Sequence, residues 1–259
     1  MPEHTSFLTH FVLAHMRETL DHNAEALGET FVGHHPVTWQ SFEPVATSIV
    51  IAILLVFAGL SVRGKLARVD ESVVPDETLT LRTFAEVFLS YFYNMAKDVM
   101  DAKRAKKYFP LIATSACFVF CGNVMALIPG FPIATTSLSV TLGTALVVFL
   151  LFNYYGFKEN GLGYLKHMAG PAWYLAPLVF PIELISLIVR PITLAVRLML
   201  NMSVDHLLLG IFMGFLTVLV PVPLMVLGCV VVLVQTLVFT LLTCIYIGLA
   251  TEHEHEAHH

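Results

Sequence analysis

The sequence predicts an all-α, polytopic membrane protein, and three observations predict it. Hydrophobic residues make up 57% of the 259-residue chain against 13% charged, at a mean hydropathy of +0.78, which leaves too little polar surface to cover a water-soluble globule. Apolar runs of span length recur at 45–62, 109–128, 138–157, 176–220 and 224–250, and a bilayer core takes about 20 apolar helical residues. Charged residues gather between these runs, with one exception: the run from 176 to 208 carries Glu183, Arg190, Arg197 and Asp205.

Two domains are expected, a polar segment 1–44 outside the membrane and a membrane domain 45–259 with about five embedded helices. Residues 1–40 hold His4, His10, His15, His22, His34 and His35 and lack the basic start and short apolar core of a cleavable signal, so a mature N-terminus is expected. A short amphipathic helix is expected near 7–20. The run 45–62 is the first span and ends at Arg63, Lys65 and Arg68. The stretch 70–107 is too charged to span, yet Leu81, Phe84, Val87, Phe88, Tyr91 and Met95 recur at helical spacing; it reads as an amphipathic helix along the membrane surface.

Lys103, Arg104, Lys106 and Lys107 precede the second span, 109–128, which closes in a turn at Pro129-Gly-Phe-Pro132. The loop 130–137 is uncharged, and the third span, 138–157, returns to Lys158, Glu159 and Lys166. Basic loops face the cytoplasm, so 63–107 and 158–167 are expected inside, and the N-terminus and the 129–137 loop outside. The segment from 176 to 220 is too long for one upright span. Kinks at Pro177, Pro181 and Pro191 and an oblique path absorb the excess. After Pro221-Val-Pro223, the run 224–250 returns without a formal charge and forms a long C-terminal hairpin with it; parity puts the C-terminus inside.

Composition also excludes classes of function. A net charge of −5 and the lack of basic-aromatic clusters argue against a nucleic-acid partner. Cys117 and Cys121 lie one turn apart, Cys229 and Cys244 far from them, with no C-x-x-C spacing; they read as reduced packing residues, not as a metal or disulfide framework. The tail after Thr251 alternates Glu and His, but nothing in it fixes a coordination geometry, and it reads as solvated. No metal or cofactor motif is present.

The candidate site is the charged run. At 100° per residue Glu183, Arg190, Arg197, Asn201 and Asp205 share one stripe, with Ser186 beside it. Arg or Asp at the centre of a bilayer helix costs about 2.5–3.5 kcal/mol on insertion scales, so the stripe should face protein or water. A guanidinium keeps its proton under working conditions, so Arg197 is a fixed charge and no relay. Glu183 and His206 can exchange protons and lie on opposite sides of Arg197, which points to two proton paths with a positive barrier between them. Pairing of Arg197 with Asp205 or Glu183 to steady the bundle is the competing reading. Arg190, nearer the basic end, is expected to reach the headgroups. Asn123, Asn201 and Gln235 read as helix-to-helix hydrogen-bond partners, each worth about 0.6–2 kcal/mol.

Pro191-Ile-Thr-Leu-Ala-Val-Arg-Leu-Met-Leu-Asn-Met202 resembles the signature of subunit a of the F-type ATP synthase. Glu183-Leu-Ile-Ser186, Gly122-Asn-Val-Met-Ala-Leu-Ile-Pro129 and Gln235-Thr-Leu-Val-Phe-Thr-Leu-Leu-Thr-Cys-Ile-Tyr246 resemble the same family. The resemblance implies a non-catalytic proton-channel subunit of a multi-pass inner (plasma) membrane complex. It implies ring-forming subunit c and peripheral-stalk subunit b as partners, with the soluble catalytic head reached through them, and no cofactor. It also implies that Arg197 faces a ring carboxylate, that Asn201, His206 and Gln235 belong to the outer half-channel, and that Glu183 and Ser186 belong to the cytoplasmic one. Asp205 is expected to tune the field at His206. The sequence departs from the commoner bacterial pattern, in which the positions of His206, Gly228 and Ala126 hold Glu, His and an acidic residue. His206 is therefore expected to work with water at Gly228 and with Gln235. The alternative is an ion-coupled secondary transporter, but the internal repeats or Gly-interrupted short helices that would favour it are not found. An intramembrane protease or haem protein would need further Ser-His or His-His groups at membrane depth, which the spans lack.

Overall fold

The computed structural model describes residues 22, 42–66, 80–128, 134–161, 176–213 and 221–251. Among them are six long helices and no strand: α1 (Glu43–Leu66), α2 (Leu81–Val99), α3 (Ala102–Ala126), α4 (Leu138–Asn160), α5 (Ala176–Met213) and α6 (Pro221–Ala250). All but α2 are long and apolar enough to cross a membrane. The helix expected near 7–20, the Pro129–Pro132 turn and the acidic tail lie outside the described residues.

The spans fall where hydropathy puts them, but two boundaries differ. Met100 and Asp101 break the chain between α2 and α3, so the expected surface helix ends at Val99. The second span begins at Ala102 and not at 109, because Lys103, Arg104, Lys106 and Lys107 ride on its first turns, where long cationic side chains reach water from an apolar stem. At the start of α2, the Thr80 hydroxyl accepts from the Thr83 N–H. α4 ends at Gly161, whose φ of 53° needs a residue without a Cβ penalty and whose N–H returns to the Phe157 carbonyl.

The core lies between α4, α5 and α6, where Ala145, Val148 and Phe152 meet Leu187, Leu194 and Leu198 and then Phe239, Cys244 and Ile247. Ala96 and Met100 of the α2 end, with Ala105 and Tyr108 of α3, close it at the basic end. There Lys107 pairs with Glu159, Tyr108 donates to the same carboxylate at 3.0 Å, and Asn160 donates to the Ala250 carbonyl at 3.3 Å. The start of α3 and the ends of α4 and α6 are thus held at one level. Large apolar side chains remain exposed along mid-helix, among them Ile53, Val56 and Phe57 of α1 and Leu200, Val204 and Leu207 of α5. Water would penalise that surface and lipid would not.

α5 is 38 residues long, about 57 Å at 1.5 Å per residue, nearly twice the ~30 Å hydrocarbon core. It stays helical through Pro181 and Pro191 and packs against both α4 and α6. A helix this long fits a bilayer only when strongly tilted or bent.

Candidate proton-path site on the C-terminal hairpin

Arg197 sits within one turn of the middle of its span, 177–212. Its side chain is exposed, and it makes no ion pair among the described residues. The neighbours on its face are Thr193, Leu200 and Val204, all exposed. The reading in which Arg197 pairs with Asp205 or Glu183 to steady the bundle is therefore not what the fold adopts. On a straight helix Glu183 lies about 21 Å to one side of Arg197 and His206 about 13 Å to the other.

One turn on, Asn201 donates to Gln235 Oε1 of α6 at 2.7 Å. This joins the hairpin across its seam, as helix-to-helix amide pairs do. Gln235 is buried, and its Nε2 has no partner among the described residues. Thr236, Thr240 and Thr243 turn their hydroxyls back to carbonyls four residues earlier, at 2.8–2.9 Å, which leaves Gln235 as the group of that stretch with a free donor.

His206 and Asp205 line a cavity of about 40 Å³ with Asn123, Ala126, Leu127, Met202 and Gly228. A water needs roughly 10–15 Å³ of such space and two to four polar partners, so the cavity has room for a few waters. The imidazole of His206 is in hydrogen-bonding reach of the Ala126 backbone. Ala126 is the last residue of α3, where helix carbonyls lack intrahelical donors. Asn123 is fully buried on the cavity wall, and neither atom of its amide has a partner among the described residues. An unpaired buried amide costs about 1–3 kcal/mol, and water in the cavity would remove that cost.

Three expectations change here. Gln235 is engaged by Asn201, and Met202 and Val232 pack together between that pair and the cavity; His206 and Gln235 are not direct partners. The space at Gly228 is also only partly open, because a Cβ there would lie 2.8 Å from the Leu127 Cδ2. Asn123, read from sequence as a helix-to-helix partner, belongs to the cavity instead. The motif Gly-Asn-Val-Met was visible, but its facing partner was not.

On the other side of Arg197, Glu183 is 40% exposed and accepts from Arg190 Nη2 at 3.4 Å. The Arg190 guanidinium lies 5.3 Å from the centre of the Tyr246 ring on α6. It is turned inward, contrary to the expectation that it reaches the headgroups: the ring face and the carboxylate both hold it. Ser186 is exposed three residues from Glu183. No cluster of three His, Cys, Asp or Glu suited to a metal occurs among the described residues, and Cys117, Cys121, Cys229 and Cys244 are all free thiols.

Residues 44–248 match the ATP synthase A chain family. The chain belongs to that family. ATP synthase subunit a of Sorangium cellulosum is 57% identical over 97% of this chain and 98% of its own length. ATP synthase subunit a of Bdellovibrio bacteriovorus is 36% identical over 85% and 96%, and that of Geobacter sulfurreducens 43% over 68% and 76%. A proton-channel subunit of the synthase membrane sector, the role of the subunit a family, accounts for a charged stripe on a spanning helix. The secondary-transporter alternative is not favoured.

Proposed function

We propose that Arg197 is the fixed charge of the proton path and faces a carboxylate on ring-forming subunit c. One observation carries this: a guanidinium near the middle of a helix long and apolar enough to cross a membrane, exposed on a largely apolar face and without an ion pair among the described residues. Arg at the bilayer centre costs at least about 2.5–3.5 kcal/mol, so a partner with a compensating charge has to cover it. Beside Arg197 an incoming carboxylic acid is drawn to its ionised form and gives up its proton. The same charge repels free protons and blocks a direct leak between the two sides.

In this reading the outer half-channel runs through the His206 cavity, with Asp205, Asn123 and water, to the Asn201–Gln235 pair. The cytoplasmic half-channel opens at Glu183 and Ser186, with Arg190 setting the position of the Glu183 carboxylate. The subunit does no chemistry on nucleotide; the catalytic head does, reached through peripheral-stalk subunit b and the turning ring. The N-terminal segment 1–44 lies outside and the C-terminus inside, in the cell inner membrane. Arg197→Ala tests the reading. The complex should assemble, while proton-driven ATP synthesis falls to background. Arg197→Lys should fail nearly as far, since an ammonium in that setting can lose its proton and lacks the planar fork. An assembled Arg197→Ala complex that makes ATP at the normal rate would refute it.

A further inference from the structure

Along α3 and α4, away from the charged stripe, lie two cavities of different chemistry. The first, about 560 Å³, is at the basic end and is walled by Asp101, Lys103, Arg104, Lys107, Tyr108 and Glu159. Arg104 pairs with Asp101 at 2.7 Å and Lys107 with Glu159, so the two carboxylates are each matched. Lys103 is the surplus cation, with no ion pair among the described residues. The N-cap Asp101 makes no side-chain cap, and so it leaves the first N–H groups of α3 to other acceptors.

The second cavity, about 410 Å³, is walled by Leu111, Thr114 and Phe118 of α3 and by Val140, Gly143 and Val147 of α4, with Val45 and Ser48 of α1 along its side. Lys107, Leu111, Thr114 and Phe118 follow one another at i, i+4, i+7 and i+11, which is one helix face. The groove therefore begins about 6 Å from Lys107 and runs about 10 Å deeper. Four of its five hydroxyls are turned into their own helices: Ser48 donates to the Val45 carbonyl at 2.7 Å, Thr114 to Pro110 at 2.7 Å, Ser115 to Ile112 at 2.9 Å and Thr144 to Val140 at 2.9 Å. Ser139, at the start of α4, is the exception, and the rest of the wall is mostly carbon.

We propose that α3 and α4 hold one anionic phospholipid, its phosphate among Lys103, Arg104 and Lys107 and an acyl chain in the groove beyond. A basic pocket between spans at the interface is the environment that selects anionic headgroups. Tyr108, buried with its ring 4.9 Å from Tyr155 and Lys107 5.6 Å from its centre, donates to Glu159 and fixes that side of the pocket. A single net positive charge matches a phosphodiester. A soluble phosphate has no use for the apolar half.

Native mass spectrometry of the assembled complex, offered phosphatidylglycerol or phosphatidylcholine, tests this. Wild type should retain phosphatidylglycerol on this subunit by about five-fold over phosphatidylcholine, the effect of one basic group near the surface. Lys103→Gln should remove that preference. Gly143→Leu, at a position where an added Cβ meets nothing within 4 Å, should fill the groove and lower retention of both lipids. Neither residue is on the proton path, so pumping by both complexes should stay at the wild-type rate. Equal retention of the two lipids by wild type overturns the proposal. So does displacement by millimolar inorganic phosphate with no effect of Gly143→Leu, which marks a soluble anion. Should a variant fail to assemble, photoactivatable phosphatidylglycerol on wild type decides: labelling of residues 139–148 supports the site, and labelling only elsewhere overturns it.

Discussion

At the scale of single residues, His206 has two separable duties. Its imidazole reaches the carbonyl at the end of α3, and it lines the water-sized cavity with Asp205 and Asn123. His206→Leu ends both, and outer-side proton flux should fall about ten-fold or more, the scale on which one positioned proton-transfer group acts. His206→Gln keeps an N–H for the carbonyl but carries no proton near neutral pH, so it should restore assembly and not flux. Rates of ATP synthesis across outside pH would separate the two; unchanged rates in both variants would make His206 a capping residue only. Gly228 offers a sharper test. A His there, as in the commoner bacterial pattern, meets the Leu127 side chain at 2.8 Å from its first carbon, and overpacking costs about 1–3 kcal/mol. His206→Glu with Gly228→His should therefore recover little flux by itself, and adding Leu127→Ala should raise it. A triple variant no better than the double would mean that the cavity, and not the clash, sets the rate.

At the scale of elements, the Glu183–Arg190–Tyr246 arrangement binds α5 to α6 on the far side of Arg197. Glu183→Gln should slow proton flux without abolishing it, because water can partly replace one relay group. Arg190→Leu should leave Glu183 without its positive partner and shift the pH dependence of flux, where a merely structural Arg190 would change only stability. Stopped-flow acidification of vesicles containing each complex measures this. Much of the elements was legible in the sequence because span length, hydropathy and helical spacing are local properties: all five spans were read from apolar runs, and the amphipathic α2 and the stripe on α5 from periodicity. The rest depended on groups distant in the chain. Arg190 turns inward because of Tyr246, 56 positions later in the numbering. Asn123 faces a cavity completed by α5 and α6, and the start of α3 is set by cationic side chains that a hydropathy window reads as loop. No window along the sequence contains those partners.

At the scale of the whole molecule, the arrangement requires two aqueous entries on opposite faces, offset along the hairpin, and so a definite orientation in the bilayer. The bundle is internally consistent on this point: the start of α3 and the ends of α4 and α6 share one level through Lys107, Glu159, Asn160 and Ala250. That level carries Lys103, Arg104, Lys106, Lys107 and Lys158, while Ser137 at the start of α4 marks the opposite one. Basic residues beside spans are retained in the cytoplasm, so Ser137 should lie outside and the Glu183 half of α5 should open inside. Ser137→Cys in sealed cells should react with a membrane-impermeant maleimide without permeabilisation, and Lys158→Cys should react only after it. A Cys229→Ala background removes the exposed native thiol on α6. The reverse pattern would exchange the two half-channels, assigning His206 to the cytoplasmic side, and the dependence of the His206 variants on outside pH would then have to vanish. The two experiments therefore constrain each other: orientation fixes which side His206 serves, and the pH response of His206→Leu must come from that side.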